Sequence, residues 1–543
     1  MTTFERAASL RAMASSTFDV VVIGAGMTGA GVALDAASRG LRVALIDRGD
    51  IASGTSSKSS KMVHGGLRYL QQKEFRLVYE NLRERQRLLR NAPYLVEPLP
   101  FLIPLFGTNG VASRALVKGY ATALRIYDLS GGWRIGHRYR RITADEALAH
   151  LPTLRTDRLV AGFLYYDARG DDARVALVLA KTAAISYGAE VATYVRALDV
   201  AMNDAGRVQA LRVRDELSRE EFEIATLSVI NATGVWADDV FTMAEHRTSH
   251  RITPAKGVHV SVSSSRLPAD VAAVFNVPND RRSVFVVPFV DAPYTYVGTT
   301  DTAYEGSLDE PLCAPDDVAY LLSAVNASTS SGLGVDDVTG VWAGLRPLLA
   351  PETGRTISER TADLSRRHRV SDSGDGVIHV TGGKWTTYRQ MAQDAVDALS
   401  PYVSPVGRVR TKTLALFGVG EWRPDNELEM HLYRRFGEQA QEILALIDDN
   451  PSLADAPLAD QPYVGAEFVY SARHEMVCSL LDLLTRRSRA HLQNARTTTQ
   501  GAESVARLVA PVLGWNEDDI RREVDAYLSL AKVEFAAAGL QLA

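Results

Sequence analysis

The sequence predicts an α/β protein in which a parallel-sheet unit is interleaved with a mostly antiparallel sheet, with a separate helical domain at the C-terminus. Three observations predict it. Residues 19–23 (DVVVI) form a short β-branched apolar run, as in a strand buried on both faces, followed by a glycine turn, a helical stretch and a second apolar run. Between residues 251 and 300, β-rich runs alternate with Pro, Gly and Asp-Pro punctuation, the pattern of antiparallel strands. Beyond about Lys412 the chain reads as helices, with few β-rich runs.

Taken in order, residues 1–17 carry Glu5, Arg6 and Arg11 but no apolar h-region. They are expected to form a loose or weakly helical extension and not a secretory signal. Residues 19–23, a helix over 30–39 stopped by Gly40, and a strand over 41–47 complete a βαβ unit of the Rossmann type. Residues 175–187 read as an amphipathic helix, 189–195 and 227–231 as strands, and 377–380 as a late strand preceding another helix. Residues 400–406, with Pro401 and Pro405, read as a linker. Helices are expected over 427–448, 468–492, 503–513 and 518–537. The organisation expected is therefore an extension (1–18), an interleaved region (19–399), a linker (400–411) and a helical domain (412–543).

Composition narrows the function. With 543 residues the chain is too long for one simple core, and its net charge of −5 provides no global basic field for nucleic acid. Hydrophobic residues at 46% and charged residues at 23% exclude wholesale disorder. The two cysteines, Cys313 and Cys478, are too far apart in sequence for a CxxC pair, so a reducing, cytoplasmic setting without disulfides or a metal site is expected. Charges and prolines break every candidate membrane span.

The first chemical motif is Gly24-Ala25-Gly26-Met27-Thr28-Gly29. Gly24 allows a tight turn, Gly26 lets backbone approach a pyrophosphate, and Gly29 permits close helix–strand packing. The following helix aims its N-terminal N–H groups and positive dipole end at phosphate. Asp47, twenty-three positions after Gly24, ends the next strand, where an acid accepts hydrogen bonds from a ribose. The motif alone does not separate FAD from a nicotinamide nucleotide. Two later turns favour FAD: Asn231-Ala232-Thr233-Gly234 after a strand, and Thr381-Gly382-Gly383-Lys384-Trp385-Thr386-Thr387 ahead of a helix. A helix N-terminus of the second kind stabilises negative charge on a reduced flavin. The stretch from Ser53 to Tyr69 combines hydroxyls and glycines suited to phosphate and flavin with a return to Met62, Val63 and Leu67 that a solvated loop does not need.

The segments IGAGMTGAGVALDAASRGL, SGTSSKSSKMVHGGLRYL, Val297-Gly298-Thr299-Thr300-Asp301, Gly344-Leu345-Arg346-Pro347 and GGKWTTY occur in that order and resemble FAD-dependent glycerol-3-phosphate dehydrogenases, of the D-amino-acid-oxidase-like flavoproteins. The resemblance runs from about residue 19 to 399, and Ser471-Ala472-Arg473-His474-Glu475-Met476 resembles the family's helical C-terminal domain. It implies a Rossmann-like FAD-binding part interleaved with a substrate-binding sheet, and oxidation of sn-glycerol 3-phosphate to dihydroxyacetone phosphate with electrons passed to quinone. It implies substrate contacts from Arg68, Tyr69, Arg346 and Lys384, with His64 as the preferred base and His259 as a second candidate. The implied FAD-binding positions are Gly24, Gly26, Met27, Thr28, Gly29, Asp47, Thr55, Ser56, Ser57, Lys61, His64, Gly65, Gly66, Val195, Ala232, Thr233, Gly234, Gly383, Lys384, Thr386 and Thr387. Ala25 and Asp47 stand where the family commonly has Gly and Glu, and both preserve the chemistry. Alternatives left open are an oxidase that reduces oxygen and a non-catalytic flavin-bound sensor or scaffold.

The chemistry suits these side chains. A histidine poised near neutral pH takes the hydroxyl proton, and Arg forks with a Lys point charge match a phosphate dianion. Quinone access calls for a membrane surface. Residues 114–141 hold seven Lys/Arg (114, 118, 125, 134, 138, 140, 141) against one acid, Asp128. On a helical wheel Arg114, Lys118 and Arg125 fall together, opposite Leu116, Tyr120, Ala123, Leu124 and Tyr127. That helix either lies on an anionic bilayer at the inner face of the cell membrane or packs its apolar face on its own domain. A homodimer is a further expected partner arrangement.

Overall fold

The computed structural model describes residues 4–71, 74–107, 113–245, 252–278, 280, 282–349 and 367–542. Its central layer is a six-stranded sheet in the order His368–Asp372, Val377–Gly382, Val229–Asn231, Val20–Ile23, Val43–Ile46, Glu190–Ala192. All neighbours are parallel except the first pair. Alternate residues of the two central apolar runs enter different cores. Val20, Val22, Val43 and Leu45 pack with the helix Met27–Ser38, while Val21, Ile23, Ala44 and Ile46 pack with a small sheet that includes Val200, Leu211 and Ile224. Both faces are covered, which is why residues 19–23 read as unbroken apolar sequence.

That small sheet contains Thr17–Phe18, Glu221–Thr226, Val208–Asp215 and Val195–Met202. Two readings are sharpened here. Of the loose or weakly helical extension expected, the structure shows the helix, Arg6–Ser15. It docks through polar contacts, Ser9 Oγ donating to Glu190 (2.7 Å) and Arg6 Nε to the Thr193 carbonyl (2.8 Å), and through buried Met13 with Leu10 beside it. So few apolar positions leave no clear periodicity in the sequence. The expected strand over 189–195 is divided, with Glu190–Ala192 in the parallel sheet and Val195 opening a strand of the small one.

The second large layer is a ten-stranded sheet. It is antiparallel apart from the pair Ala272–Asn276 and Val96–Phe106. Its strand Ile252–Ser263 pairs with both Tyr294–Gly298 and Val338–Leu349, which brings Ala255 opposite Arg346, and His259 opposite both Gly298 and Trp342.

The C-terminal part is helical, but two of its expected helices are broken and one is longer than the sequence suggests. The expected helix over 427–448 is two, Glu427–Phe436 and Ala440–Asp449. Gly437 breaks it at φ +62°, where a Cβ would meet the Gly418 carbonyl at 2.2 Å. The stretch expected as one helix over 468–492 comprises Gly465–His474, then short turns to Ala490–Gln493. Ala495–Leu513 starts earlier than expected because Asn494 caps it. Residues 400–411 are irregular yet anchored: Leu399 and Val403 are buried and Asn91 Nδ2 donates to the Thr411 carbonyl (3.1 Å). Among the described residues no helix is long and apolar enough to cross a membrane.

Candidate active site

The glycine turn, the acidic strand end and both later turns follow the carboxyl ends of neighbouring parallel strands, the edge where open α/β sheets bind ligands. Gly24 has φ +104°, and a Cβ there would meet the Ala232 carbonyl at 2.7 Å. The Asn231–Gly234 turn is thus packed against the first glycine. At Gly29 a Cβ would lie 1.7 Å from the Gly24 carbonyl, so the helix approaches the turn only because Gly29 has no side chain. Asp47 accepts from Ala25 N–H (2.7 Å) and Gly49 N–H (2.9 Å), and burial raises its carboxyl pKa against those two bonds. Val195 N–H donates to the Asp47 carbonyl at 2.7 Å, which keeps Val195 beside the acid although it belongs to another sheet. Thr28 is half-buried at the start of the helix. The tight glycine turn, with the helix drawn close to it, and the half-buried strand-end acid fit a dinucleotide.

The stretch 53–69 is tied to the first glycine motif, to the strand that carries Arg346 and to the late turn. Ser56 Oγ accepts from Met27 N–H (2.9 Å), joining it to the first motif. Thr55 Oγ1 donates to the Leu345 carbonyl (2.6 Å), next to Arg346. Ser57 and Lys61 are buried, and the Lys61 ammonium faces Asp172 (3.3 Å) and the Ser57 carbonyl (3.3 Å). Burial pushes the Lys61 pKa down to about 8. Met62–Val63 pairs with Ala168 and Arg169, half-buried His64 follows, and Gly66 turns the chain at φ +83° into Leu67–Gln71.

Gly65 is held by residues that sequence reasoning missed. Its N–H donates to Tyr127 Oη (2.9 Å) and Asp167 (3.1 Å), and its carbonyl accepts from Asn81 Nδ2 (2.9 Å). Arg85 pairs with Asp167. Tyr127 had a signal, its place on an apolar helical face, which left membrane contact and packing on its own domain equally open. The structure buries Leu124 and Tyr127, so that part of the face packs on its own domain, while Leu116 stays exposed.

The later turn supplies a cation. Gly382 (φ +71°) and Gly383 (φ +81°) lead to Lys384, whose ammonium stands 3.7 Å from the centre of the Tyr69 ring. Thr386 and Thr387 are buried in the turn that opens Tyr388–Asp397. Arg346, with about a fifth of its side chain exposed, donates to Thr299 Oγ1 (3.1 Å), the Thr300 carbonyl (3.2 Å) and, more distantly, Asp301 (3.4 Å). The 297–301 and 344–347 segments are therefore one unit. The side chain of Arg68 lies outside the described residues.

His259 is placed beneath this site. It is 2% exposed and stacks on Trp342 at 4.8 Å, with Nε2 2.7 Å from Ser60 Oγ. Burial, then the Lys61 and Arg346 charges, drives its pKa well below the ordinary imidazole range. A neutral buried imidazole supports Ser60. Among the described residues no three His, Cys, Asp or Glu are grouped to hold a metal.

Two family models match. One, FAD dependent oxidoreductase, matches residues 19–389; the other, C-terminal domain of alpha-glycerophosphate oxidase, matches residues 377–520. Glycerol-3-phosphate dehydrogenase 2 of Mycobacterium tuberculosis is 40% identical over 98% of this chain and 91% of its own length. The mitochondrial glycerol-3-phosphate dehydrogenase of Bos taurus is 33% identical over 94% of this chain and 72% of its own. The crystal structure of glycerol-3-phosphate dehydrogenase from Bacillus halodurans, complexed with FAD, superposes with a TM-score of 0.77 at 28% identity, covering 98% of each chain.

Proposed function

The chain belongs to the FAD-dependent oxidoreductases, alongside the glycerol-3-phosphate dehydrogenases, and from that membership we propose how it works: it oxidises sn-glycerol 3-phosphate to dihydroxyacetone phosphate with FAD and passes the electrons to a quinone at an anionic membrane surface. The observation that carries this reading is the Lys384–Tyr69 pair, which joins the late glycine turn to the HGGLRYL stretch.

FAD supplies the two-electron acceptor for the alcohol carbon. Gly24 and Gly26 would let the backbone and helix N-terminus approach its pyrophosphate, Gly29 keeps that helix close to the turn, and Asp47 would accept from its ribose. His64 takes the hydroxyl proton, so that no free alkoxide has to form. Arg346 and Lys384 hold the phosphate dianion, the first as a fixed fork and the second as a point charge. Arg346 is oriented beforehand by Thr299 and Thr300, which lowers the entropy lost on binding.

Support for a membrane surface comes from exposed apolar residues, of which only Leu116 belongs to the expected helix face. Phe75, Tyr79, Leu116, Ile126, Leu129 and Trp133 are exposed, Leu129 at 76% and Trp133 at 54%. Arg134 lies over the Tyr79 ring at 5.2 Å, connecting two of the segments concerned. Exposed aromatics beside cations suit a headgroup layer.

The test is anaerobic. Glycerol 3-phosphate added to the yellow protein should bleach the flavin, and a soluble quinone should reoxidise it faster than oxygen does. Bleaching followed by faster oxygen reoxidation makes the protein an oxidase. An unbleached flavin overturns the enzymatic reading.

A further inference from the structure

The side chains that hold the 55–61 turn do not all come from the catalytic body. Asp172, at the start of the helix Asp172–Lys181, is fully buried. One carboxylate oxygen accepts from Ser59 N–H (3.0 Å) and Ser59 Oγ (2.6 Å). The other faces Lys61 Nζ (3.3 Å) and Arg489 Nη2. Arg489 belongs to the C-terminal helical part and is 3% exposed. It also forks Asp171, through Nε (3.0 and 3.1 Å) and Nη2 (2.6 Å), while Nη1 donates to the carbonyls of Thr485 (3.1 Å) and Ser57 (3.4 Å). Two carboxylates, Asp171 and Asp172, thus face two cations, Arg489 and Lys61.

The adjoining residues repeat the arrangement on the other cofactor loop. Arg487 donates to both oxygens of buried Asp50 (2.8 Å each), and Arg486 also reaches Asp50, three residues beyond Asp47. One short segment of the C-terminal part therefore grips both the 55–61 turn and the loop after the ribose acid.

We propose that Arg489 is a positioning residue for the cofactor, acting through Asp172 on Ser59 and Lys61, and that the C-terminal helical part thereby sets how tightly FAD is held. The geometry favours this over simple domain glue because the pairs end on the turn itself. Removing Arg489 leaves buried Asp172 and half-buried Asp171 to share one cation. Relief comes from Lys61 shifting to serve both carboxylates or from water or a proton entering, each of which displaces the 55–61 turn. The proposal rests on reading residues 53–69 as part of the FAD site.

The test measures FAD binding to stripped protein by flavin fluorescence, alongside the visible flavin spectrum and thermal midpoint of each variant. Arg489→Met should weaken FAD by about tenfold or more, the worth of one charge-assisted hydrogen bond, and shift the flavin absorbance bands. Arg489→Lys should fall between, keeping the charge without the fork, and serves if the Met variant does not fold. If Arg489 acts through Asp172, adding Arg489→Met to Asp172→Asn should cost much less than Arg489→Met alone. Glu475→Gln loosens the same domain contact at Arg174 without touching the turn, so FAD affinity should stay within about twofold even if the thermal midpoint falls. Unchanged FAD affinity and spectrum in both Arg489 variants, additive losses in the double variant, or an equal loss in Glu475→Gln overturns the proposal. If the parent protein itself binds no FAD, the flavoenzyme reading has failed first.

Discussion

Lys384 Nζ lies 3.7 Å from the centre of the Tyr69 ring, so two motifs more than 300 residues apart share one cation–π contact. Such a contact is worth about 0.5–2 kcal/mol, or roughly 2- to 30-fold in a binding constant. Tyr69→Phe keeps the ring face and should retain most of the affinity for glycerol 3-phosphate. Tyr69→Leu should lose it within that range. Half-saturation of flavin reduction in stopped flow measures both, and equal values for the two variants refute the ring's role.

The glycines separate into those that clash and those that do not. Gly29→Ala puts a Cβ 1.7 Å from the Gly24 carbonyl, and Gly26→Val places branched carbon against Ser56 Oγ, 2.9 Å from the ideal Cβ. Both should yield colourless protein. Gly119→Ala meets nothing within 4 Å inside Arg114–Leu129 and should keep full flavin while stabilising the fold by about 0.5–1 kcal/mol. Absorbance per mole of protein decides the first two, and a denaturant midpoint the third.

The parallel sheet and its turns were legible because their requirements are local: an apolar run, a glycine where φ is positive, an acid at a strand end. Lys61, Ser60 and His259 were visible as residue types, yet their roles depend on Asp172, Tyr296 and Trp342, which arrive from distant strands and helices. Tyr127 stayed ambiguous because an apolar stripe signals burial without saying against what; Asp167 and Gly65 gave it a polar end. The break at Gly437 was invisible as well, since a lone glycine inside a helical pattern costs little unless something, here the Gly418 carbonyl, occupies the space. Patterns reveal elements, while partners must be folded together to be seen.

Acid should loosen the C-terminal contact. Burial opposes ionisation of Asp171 and Glu475, but Arg489 and Arg174 respectively outweigh it and hold both carboxyls at about 2. Folded values lie below the unfolded 3.8 and 4.5, so this stabilisation is complete above about pH 4.5 and is lost as pH falls towards 2. Urea midpoints should therefore drop across that window, and Glu475→Gln should flatten the drop. A parallel fall in parent and variant assigns the acid sensitivity elsewhere.

Membrane binding should follow the exposed patch and not the buried helix face. Trp133→Ser combined with Leu129→Ser should reduce flotation with anionic vesicles while leaving the thermal midpoint nearly unchanged, since both side chains are more than half exposed. Leu124→Ser should lower the midpoint instead, because Leu124 is fully buried. Undiminished flotation of the double variant at low salt removes the patch as the docking surface.

Arg346 should decide the preference for a phosphorylated alcohol. Its guanidinium is held by Thr299 Oγ1 at 3.1 Å and the Thr300 carbonyl at 3.2 Å, yet part of it remains exposed, so it can add a ligand without first reorganising. A charge-assisted hydrogen bond to a dianion is worth about 1.5–3 kcal/mol, so Arg346→Ala should cost roughly 10- to 150-fold in kcat/KM for glycerol 3-phosphate. Glycerol lacks the phosphate and should be a poor substrate for the parent enzyme, losing little more in the variant. The ratio between the two alcohols should therefore shrink by about the same 10- to 150-fold factor. Arg346→Lys should restore only part of it, because a point charge replaces a fork. The same arginine also ties residues 297–301 to its own strand, so a structural loss has to be separated from a lost ligand. Thr299→Val removes an acceptor of Arg346 and no charge; it should slow both alcohols alike and leave their ratio intact. Stopped-flow reduction with both substrates gives the ratio for the parent and for each of the three variants. If Arg346→Ala preserves the parent's ratio, the guanidinium is not a phosphate ligand, and its place in the substrate site has to be given up.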